Sequence, residues 1–153
     1  MNIDYGSQTS HVDSSVPEKL LYTAQMHTTG GRDGGTARSS DGRLDVKLST
    51  PGASGTGTNP EQLFAAGWSA CFIGAMRLAA AGMKVKLPSD TAVDVEVDLR
   101  MRGETYLLQA RLNVLVPGVD RAMAEKIVAA AHETCPYSRA TRGNIDVEIN
   151  VES

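Results

Sequence analysis

The sequence predicts an α+β fold built mostly from antiparallel strands, in the order β-β-α-β-β-α-β. Two long stretches of alternating apolar and polar residues are joined by a short turn, which is typical of a hairpin. A long apolar helix precedes this hairpin, and an amphipathic helix with one more strand follows it. Strands and helices do not alternate regularly, so a parallel α/β sheet is not expected.

Composition limits the class of protein and its partners. Hydrophobic residues make up 41% of the 153 residues and charged residues 22%, which excludes a largely disordered chain. With 15 Lys+Arg against 18 Asp+Glu, the chain lacks the basic excess of a nucleic-acid-binding protein. No apolar segment of a secretory signal is visible, and the stretch Leu63–Met76 is shorter than the about 20 residues of a membrane span. We therefore expect a cytoplasmic protein with no nucleic-acid or membrane partner.

The polar residues 1–18 are interpreted as a flexible leader, and residues 19–153 as a single domain. A first strand is predicted over Lys19–Thr28, followed by a turn with four glycines at 29–35. A second strand is predicted over Arg43–Ser49, where apolar and polar residues alternate.

The central helix has clear boundaries. Thr58 or Asn59 can cap its first turn, Pro60 suits its first position, and Gly82 follows its expected end near Ala81. This helix is apolar on nearly every side, which is typical of a helix buried all round. A chain of this size can hardly enclose such a helix, so burial by a second subunit is predicted.

The C-terminal half has the most regular patterns. Ala92–Arg102 alternates without interruption, and its apolar side is expected to face the core. The chain then turns at Gly103-Glu104 and returns as Tyr106–Val116. A helix follows over about Asp120–Thr134, and Pro136 should end it. One apolar row runs along this helix and consists of Met123, Ile127, Ala131 and Cys135. The last strand is expected over Asn144–Val151.

Cys71 and Cys135 are the two cysteines, and each lies on an apolar helix face. The simplest interpretation of each is a packed core residue. A pair of cysteines in a cytosolic protein also permits a reversible disulfide, which in that compartment is usually catalytic. Spacing alone does not show that the two sulfurs meet.

Arg32 lies in the glycine-rich turn, and Glu61 lies in the first turn of the central helix. Arg32 is either a solvated loop residue or a cation that lowers the pKa of a thiol. Glu61 either complements the helix dipole or orients Arg32 through a bidentate pair. His132 is expected on the polar face of its helix, although a Cys–His nucleophile pair is also allowed. A zinc site is not expected, because the two cysteines and His132 lack a fourth ligand and a metal-binding spacing.

Taken together, several segments resemble the organic hydroperoxide resistance (Ohr) family, a branch of the OsmC superfamily. The segments are TGGRDG at 29–34, RSSDG at 38–42, LDVKL at 44–48, TNPEQLFAAGWSACF at 58–72, HETCPYS at 132–138 and ATRGN at 140–144. They cover the chain from about residue 20 onward, and their combination is specific. Two departures are Trp68, where the family usually has Tyr, and Arg139, where Asn is more usual.

The resemblance implies a thiol-dependent peroxidase that reduces alkyl and fatty-acid hydroperoxides. It implies that Cys71 attacks the peroxide, that Cys135 resolves the product as a disulfide, and that Arg32 and Glu61 activate Cys71. It also implies an OsmC-like intertwined homodimer, reduced by a lipoylated protein or another dithiol, without metal, haem or flavin cofactor. The substrate chain is expected to contact four apolar residues: Leu63, Phe64, Trp68 and Phe72.

Glu61 and Cys71 are ten residues apart, or about 15 Å along a straight helix. One Arg32 cannot easily reach both within a single chain. We therefore expect a site shared across the dimer interface, with Arg32 and Glu61 on the chain opposite Cys71. Two alternatives stay open: an OsmC-branch peroxidase with a broader peroxide range, and a non-enzymatic dimeric carrier of hydrophobic ligands with inert cysteines.

Overall fold

The computed structural model describes residues 13–153, so the first twelve residues of the predicted leader lie outside the described residues. The chain divides into two compact units, one ending at Leu63 and the other spanning Phe64–Ser153. The division falls within the central helix. The leader boundary at residue 18 stays a prediction.

The N-terminal unit contains a small antiparallel sheet of three strands in the order β1-β2-β3. The strands are β1 (Met26–Thr29), β2 (Thr36–Ser39) and β3 (Asp45–Lys47). The expected strand over 19–28 was therefore wrong for most of its length, and the one over 43–49 was too long. Strand β2 was not predicted from the sequence, because Ala37 is its one apolar residue and its residues do not alternate between apolar and polar.

The central helix, α1 (Pro60–Gly82), confirms the predicted boundaries. The Asn59 side-chain oxygen accepts a hydrogen bond from the backbone N–H of Gln62 at 2.9 Å, so Asn59 is the N-cap. Pro60 occupies the first helical position, where its missing N–H costs no hydrogen bond.

One face of α1 is buried within the C-terminal unit. Trp68, Phe72 and Met76 have no exposed surface and belong to the main hydrophobic core. Elsewhere on the helix Ala70 is exposed, and Leu78 is 77% exposed. Within residues 13–153, α1 is the one helix long and apolar enough to cross a membrane, a test that a buried core helix also passes. The described chain thus leaves apolar α1 surface uncovered.

The C-terminal unit contains a second three-stranded sheet in the order β4-β5-β6. The strands are β4 (Ala92–Arg102), β5 (Thr105–Leu115) and β6 (Asp146–Glu152). The predicted antiparallel hairpin β4–β5 is confirmed, and β6 pairs with β5 in parallel. At the hairpin tip, however, Leu99 and Met101 are 44% and 65% exposed. The expectation that the apolar side of β4 is buried throughout was therefore wrong for the tip, because alternation assigns a side of the strand but not what covers it.

The parallel connection from β5 to β6 is made by two helices, α2 (Arg121–Thr134) and α3 (Pro136–Thr141). Asp120 caps α2 by accepting a hydrogen bond from the Met123 N–H. Pro136 ends α2 as predicted, but it also begins α3, which the sequence analysis missed. Cys135 therefore occupies an extended corner between two helices.

Candidate functional site

The structure brings the two cysteine thiols together. Cys71 lies half-buried on α1, and Cys135 lies fully buried at the α2–α3 corner. Both are free, and the thiol of Cys135 is within hydrogen-bonding contact of the thiol of Cys71. Two thiols in contact can be joined by oxidation without a large rearrangement of the chain.

The acidity of Cys71 is set by its neighbours. Burial raises the pKa of its thiol, and the nearby Cys135 thiol raises it further. The backbone N–H of Tyr137 acts in the opposite direction, because it donates a hydrogen bond that favours the thiolate and lowers the pKa. The net pKa lies above that of an ordinary cysteine. A thiolate at neutral pH therefore requires additional positive charge near Cys71.

The corner that holds Cys135 is fixed by hydrogen bonds on both sides. The Cys135 N–H donates to the Ala131 carbonyl at 2.8 Å, and the Arg139 N–H donates to the Cys135 carbonyl at 2.9 Å. Arg142 reaches back to the end of α2, where its guanidinium donates to the His132 carbonyl at 2.6 Å. These bonds hold the backbone on either side of the thiol.

Contacts between α1 and α3 join the two cysteine-bearing regions. The indole N–H of Trp68 donates to the Ser138 hydroxyl at 3.3 Å, and neither residue has exposed surface. The ring of Tyr137 lies 5.8 Å from the ring of Phe64, centroid to centroid. A Cβ on Gly67 would lie 2.6 Å from the Tyr137 hydroxyl, so the absence of a side chain at this position allows the close approach.

Arg32 and Glu61 form an ion pair in the N-terminal unit. The Nη2 of Arg32 donates to the Oε2 of Glu61 at 2.6 Å, and the side chains are 37% and 14% exposed. The glycine-rich turn that carries Arg32 folds back tightly, since a Cβ on Gly35 would lie 2.0 Å from the Thr29 carbonyl oxygen. Their contact was one of the alternatives that the sequence left open.

Most of the chain matches one protein family. The family model for the OsmC-like proteins matches residues 52–150, which include Glu61, Cys71 and Cys135. The chain belongs to the OsmC family. The expected OsmC-like α+β fold is thereby confirmed.

Similar proteins place the chain in the Ohr branch of the OsmC family. It is 52% identical over 139 residues to the organic hydroperoxide resistance protein of Xanthomonas axonopodis pv. citri, covering 88% of this chain and 97% of that protein. The crystal structure of an organic hydroperoxide resistance protein from Legionella pneumophila superimposes with a TM-score of 0.81 at 42% identity, covering 88% and 100%. That of OhrB from Bacillus subtilis gives 0.81 at 40% identity, covering 87% and 100%.

The structure distinguishes among the four apolar residues expected to bind the substrate of this OsmC-family protein. Leu63 and Phe64 are half-buried and offer surface to a ligand, whereas Trp68 and Phe72 have none. The binding role of the four stays a prediction. Tyr137 and Ser138 were not predicted as neighbours of the cysteines, although their position shortly after Cys135 was a signal.

His132 is buried, so the expectation that it lies on the polar face of α2 was wrong. Its exposed fraction is 4%. Burial, followed by the positive charge of Arg142, lowers the pKa of His132 to about 4 from its ordinary 6.5. The folded protein thus binds this proton more weakly than the unfolded chain does.

This difference predicts a pH dependence of stability. The contribution of neutral His132 is fully present above about pH 6.5 and is lost as the pH falls towards about 4. Because of this group, the free energy of unfolding should fall by about 2 kcal/mol between pH 7.5 and pH 5. Urea unfolding at both pH values should show that the free energy of unfolding falls less in His132→Gln than in the wild type. The exposed His27 is the matched control, and a His27→Gln variant that flattens the profile equally would contradict the assignment to His132.

Proposed function

We propose that this protein is a dithiol-dependent peroxidase that reduces organic hydroperoxides to alcohols. The observation that carries the proposal is the contact between the free thiols of Cys71 and Cys135 in a chain whose relatives are organic hydroperoxide resistance proteins. An alkyl or fatty-acid hydroperoxide is the proposed substrate, because apolar surface at Leu63 and Phe64 suits a hydrocarbon chain.

The reaction proceeds in three steps. The Cys71 thiolate attacks the distal peroxide oxygen, the O–O bond breaks, and the alkoxide leaves as an alcohol after protonation. Cys71 is thereby oxidised to a sulfenic acid. The Cys135 thiol attacks that sulfur, forming the disulfide and releasing water. An external dithiol, proposed to be a lipoylated protein, then reduces the disulfide by exchange and is itself oxidised.

Arg32 is proposed as the source of positive charge at Cys71. Burial raises the pKa of this thiol, so a cation is needed to favour the thiolate. The same guanidinium would stabilise the alkoxide that develops as the O–O bond breaks. Glu61 holds the guanidinium at 2.6 Å and thereby sets its direction.

The active unit is proposed to be a cytoplasmic intertwined homodimer. Apolar surface of α1 stays uncovered in the single chain, as at Leu78, which is 77% exposed. In this assembly the ion pair of one protomer would face Cys71 of its partner. No metal or other bound cofactor enters the proposed reaction.

Thiol titration tests the function directly. The reduced protein is mixed with one equivalent of cumene hydroperoxide, and free thiols are counted before and after. We expect the loss of two thiols per chain and their recovery with dihydrolipoamide. An unchanged thiol count would favour the carrier of hydrophobic ligands instead. Equal rates with hydrogen peroxide and cumene hydroperoxide would favour the broader OsmC-branch peroxidase.

The Arg32–Glu61 ion pair predicts that replacing Arg32 with lysine, which keeps the charge, lowers activity. Arg32→Lys should lower kcat/KM for cumene hydroperoxide about a hundredfold, because lysine lacks the planar fork that the carboxylate aligns. Alkylation of Cys71 by iodoacetamide at pH 7 should slow in parallel, since the thiol pKa would rise. Arg38→Lys is the matched control, because Arg38 is an exposed arginine of the same unit that pairs with Asp45. Unchanged rates in Arg32→Lys would mean that another group activates Cys71.

Glu61→Gln should show a weaker form of the same defect. The guanidinium keeps its charge and loses its anionic partner, so a loss of about tenfold in kcat/KM is expected. The double variant Arg32→Lys/Glu61→Gln should be little worse than Arg32→Lys alone, because the two residues act as one unit. Additive losses, measured by the same kinetics, would contradict a shared role.

A further inference from the structure

We propose that Trp68 and Ser138 are positioning residues whose buried hydrogen bond holds the Cys135 thiol where it captures the Cys71 sulfenic acid. The inference rests on the proposed peroxidase function, which it deepens by naming the device that controls the disulfide-forming step. Neither side chain reacts, and each acts through the backbone that carries a cysteine.

The placement of the bond in the chain supports this role. Trp68 lies three residues before Cys71 on α1, and Ser138 lies three residues after Cys135 at the beginning of α3. On α1 this spacing makes Trp68 and Cys71 neighbours on one helix surface, and Cys135 directly precedes the first residue of α3. The hydrogen bond from Trp68 Nε1 to Ser138 Oγ, 3.3 Å long, therefore joins α1 to α3 within about one helical turn of each cysteine.

Burial shields the Trp68–Ser138 hydrogen bond from water. Both partners have no exposed surface, so water cannot replace either one. If the two helices separated, the indole N–H would lose its buried acceptor and would be left unsatisfied. The packing of Tyr137 against Phe64 and over Gly67 opposes the same separation. Together these contacts restrict movement of Cys135 relative to Cys71.

Such restriction matters because the sulfenic acid has two fates. It condenses with the Cys135 thiol, forming the S–S bond and releasing water, or it reacts with a second hydroperoxide to form a sulfinic acid and another alcohol. The first fate depends on how often the two sulfurs meet, and small misplacements of reacting groups can cost large factors in rate. The hydrogen bond should therefore raise the yield of disulfide and leave the first attack on the peroxide unaffected.

The positioning of Cys135 relative to Cys71 can be tested without peroxide by measuring the effective concentration of the two thiols. Wild-type protein and variants are equilibrated with glutathione redox buffers, and the Cys71–Cys135 disulfide is quantified by mass spectrometry. Ser138→Ala and Trp68→Phe should each lower the effective concentration about tenfold, and the double variant should be little worse than either. Ser69→Ala is the matched control, since the Ser69 hydroxyl bonds to the Ala66 carbonyl within α1, and it should match the wild type.

Overoxidation provides the second readout. At excess cumene hydroperoxide, Ser138→Ala should accumulate about tenfold more Cys71 sulfinic acid than Ser69→Ala, while Cys71 is first oxidised at a similar rate in both. Trp68 is the single tryptophan of the sequence, so its fluorescence spectrum should also differ between these two variants.

The outcomes separate this inference from the proposed function. If Ser138→Ala and Trp68→Phe both retain native circular dichroism and wild-type effective concentration, the positioning role is overturned. If wild-type protein forms the disulfide in glutathione but does not consume hydroperoxide, the peroxidase function fails and the positioning of the two thiols stands. Should Ser138→Ala fail to fold, Trp68→Phe decides, because it removes the donor and retains an aromatic ring.

Discussion

Replacing Cys71 with serine is expected to abolish hydroperoxide reduction while the protein stays folded. The hydroxyl of serine is a far weaker nucleophile than a thiolate, so kcat/KM should fall by at least about 10³-fold. Because Cys71 is only half-buried, the change to a more polar atom should cost little stability. Steady-state consumption of cumene hydroperoxide with dihydrolipoamide measures the first effect, and thermal unfolding measures the second.

Two further readouts complete this experiment. The variant should retain the circular dichroism of the wild type, and its remaining Cys135 thiol should not be consumed by hydroperoxide. Cys135 is fully buried, so it cannot easily replace Cys71 as the nucleophile. Multiple turnovers by folded Cys71→Ser protein would refute the assignment of Cys71.

Cys135→Ser is expected to react once with hydroperoxide and then to stall. Cys71 would still be oxidised to the sulfenic acid, but no internal thiol would be available to form the disulfide. With excess hydroperoxide the sulfenic acid should proceed to sulfinic acid, so turnover should fall by at least about 10²-fold within the first cycles. Mass spectrometry should find the added oxygen atoms on Cys71, whereas wild-type protein should show the disulfide.

The reductant is the control for this second prediction. A bulky dithiol that cannot enter the site should not rescue Cys135→Ser. Sustained turnover with such a reductant would show that Cys135 is not the resolving residue. Ser138→Ala, which keeps both cysteines, should lie between Cys135→Ser and wild type in its yield of sulfinic acid.

Local sequence determined much of the framework on which these residues lie. The start of α1 was predictable because Asn59 and Pro60 satisfy requirements of a helix N-terminus that involve neighbouring residues only. The β4–β5 hairpin was predictable from its alternation and its short turn, and the apolar row of α2 placed Cys135 on the buried side. The identity of Arg32, Glu61, Cys71 and Cys135 as candidates came from the resemblance of their segments to one family.

Tertiary structure alone decided the rest, because those features depend on partners far away in the chain. β2 became a strand by pairing with β1 and β3, although its own residues show no pattern. His132 became buried through packing at the end of α2, against a polar-face expectation. The contact between the Cys71 and Cys135 thiols, and the Trp68–Ser138 bond beside it, join residues 64 and 70 positions apart. Contacts at that separation arise when α1 and α3 pack in a common core, a property of the folded chain that no local periodicity encodes.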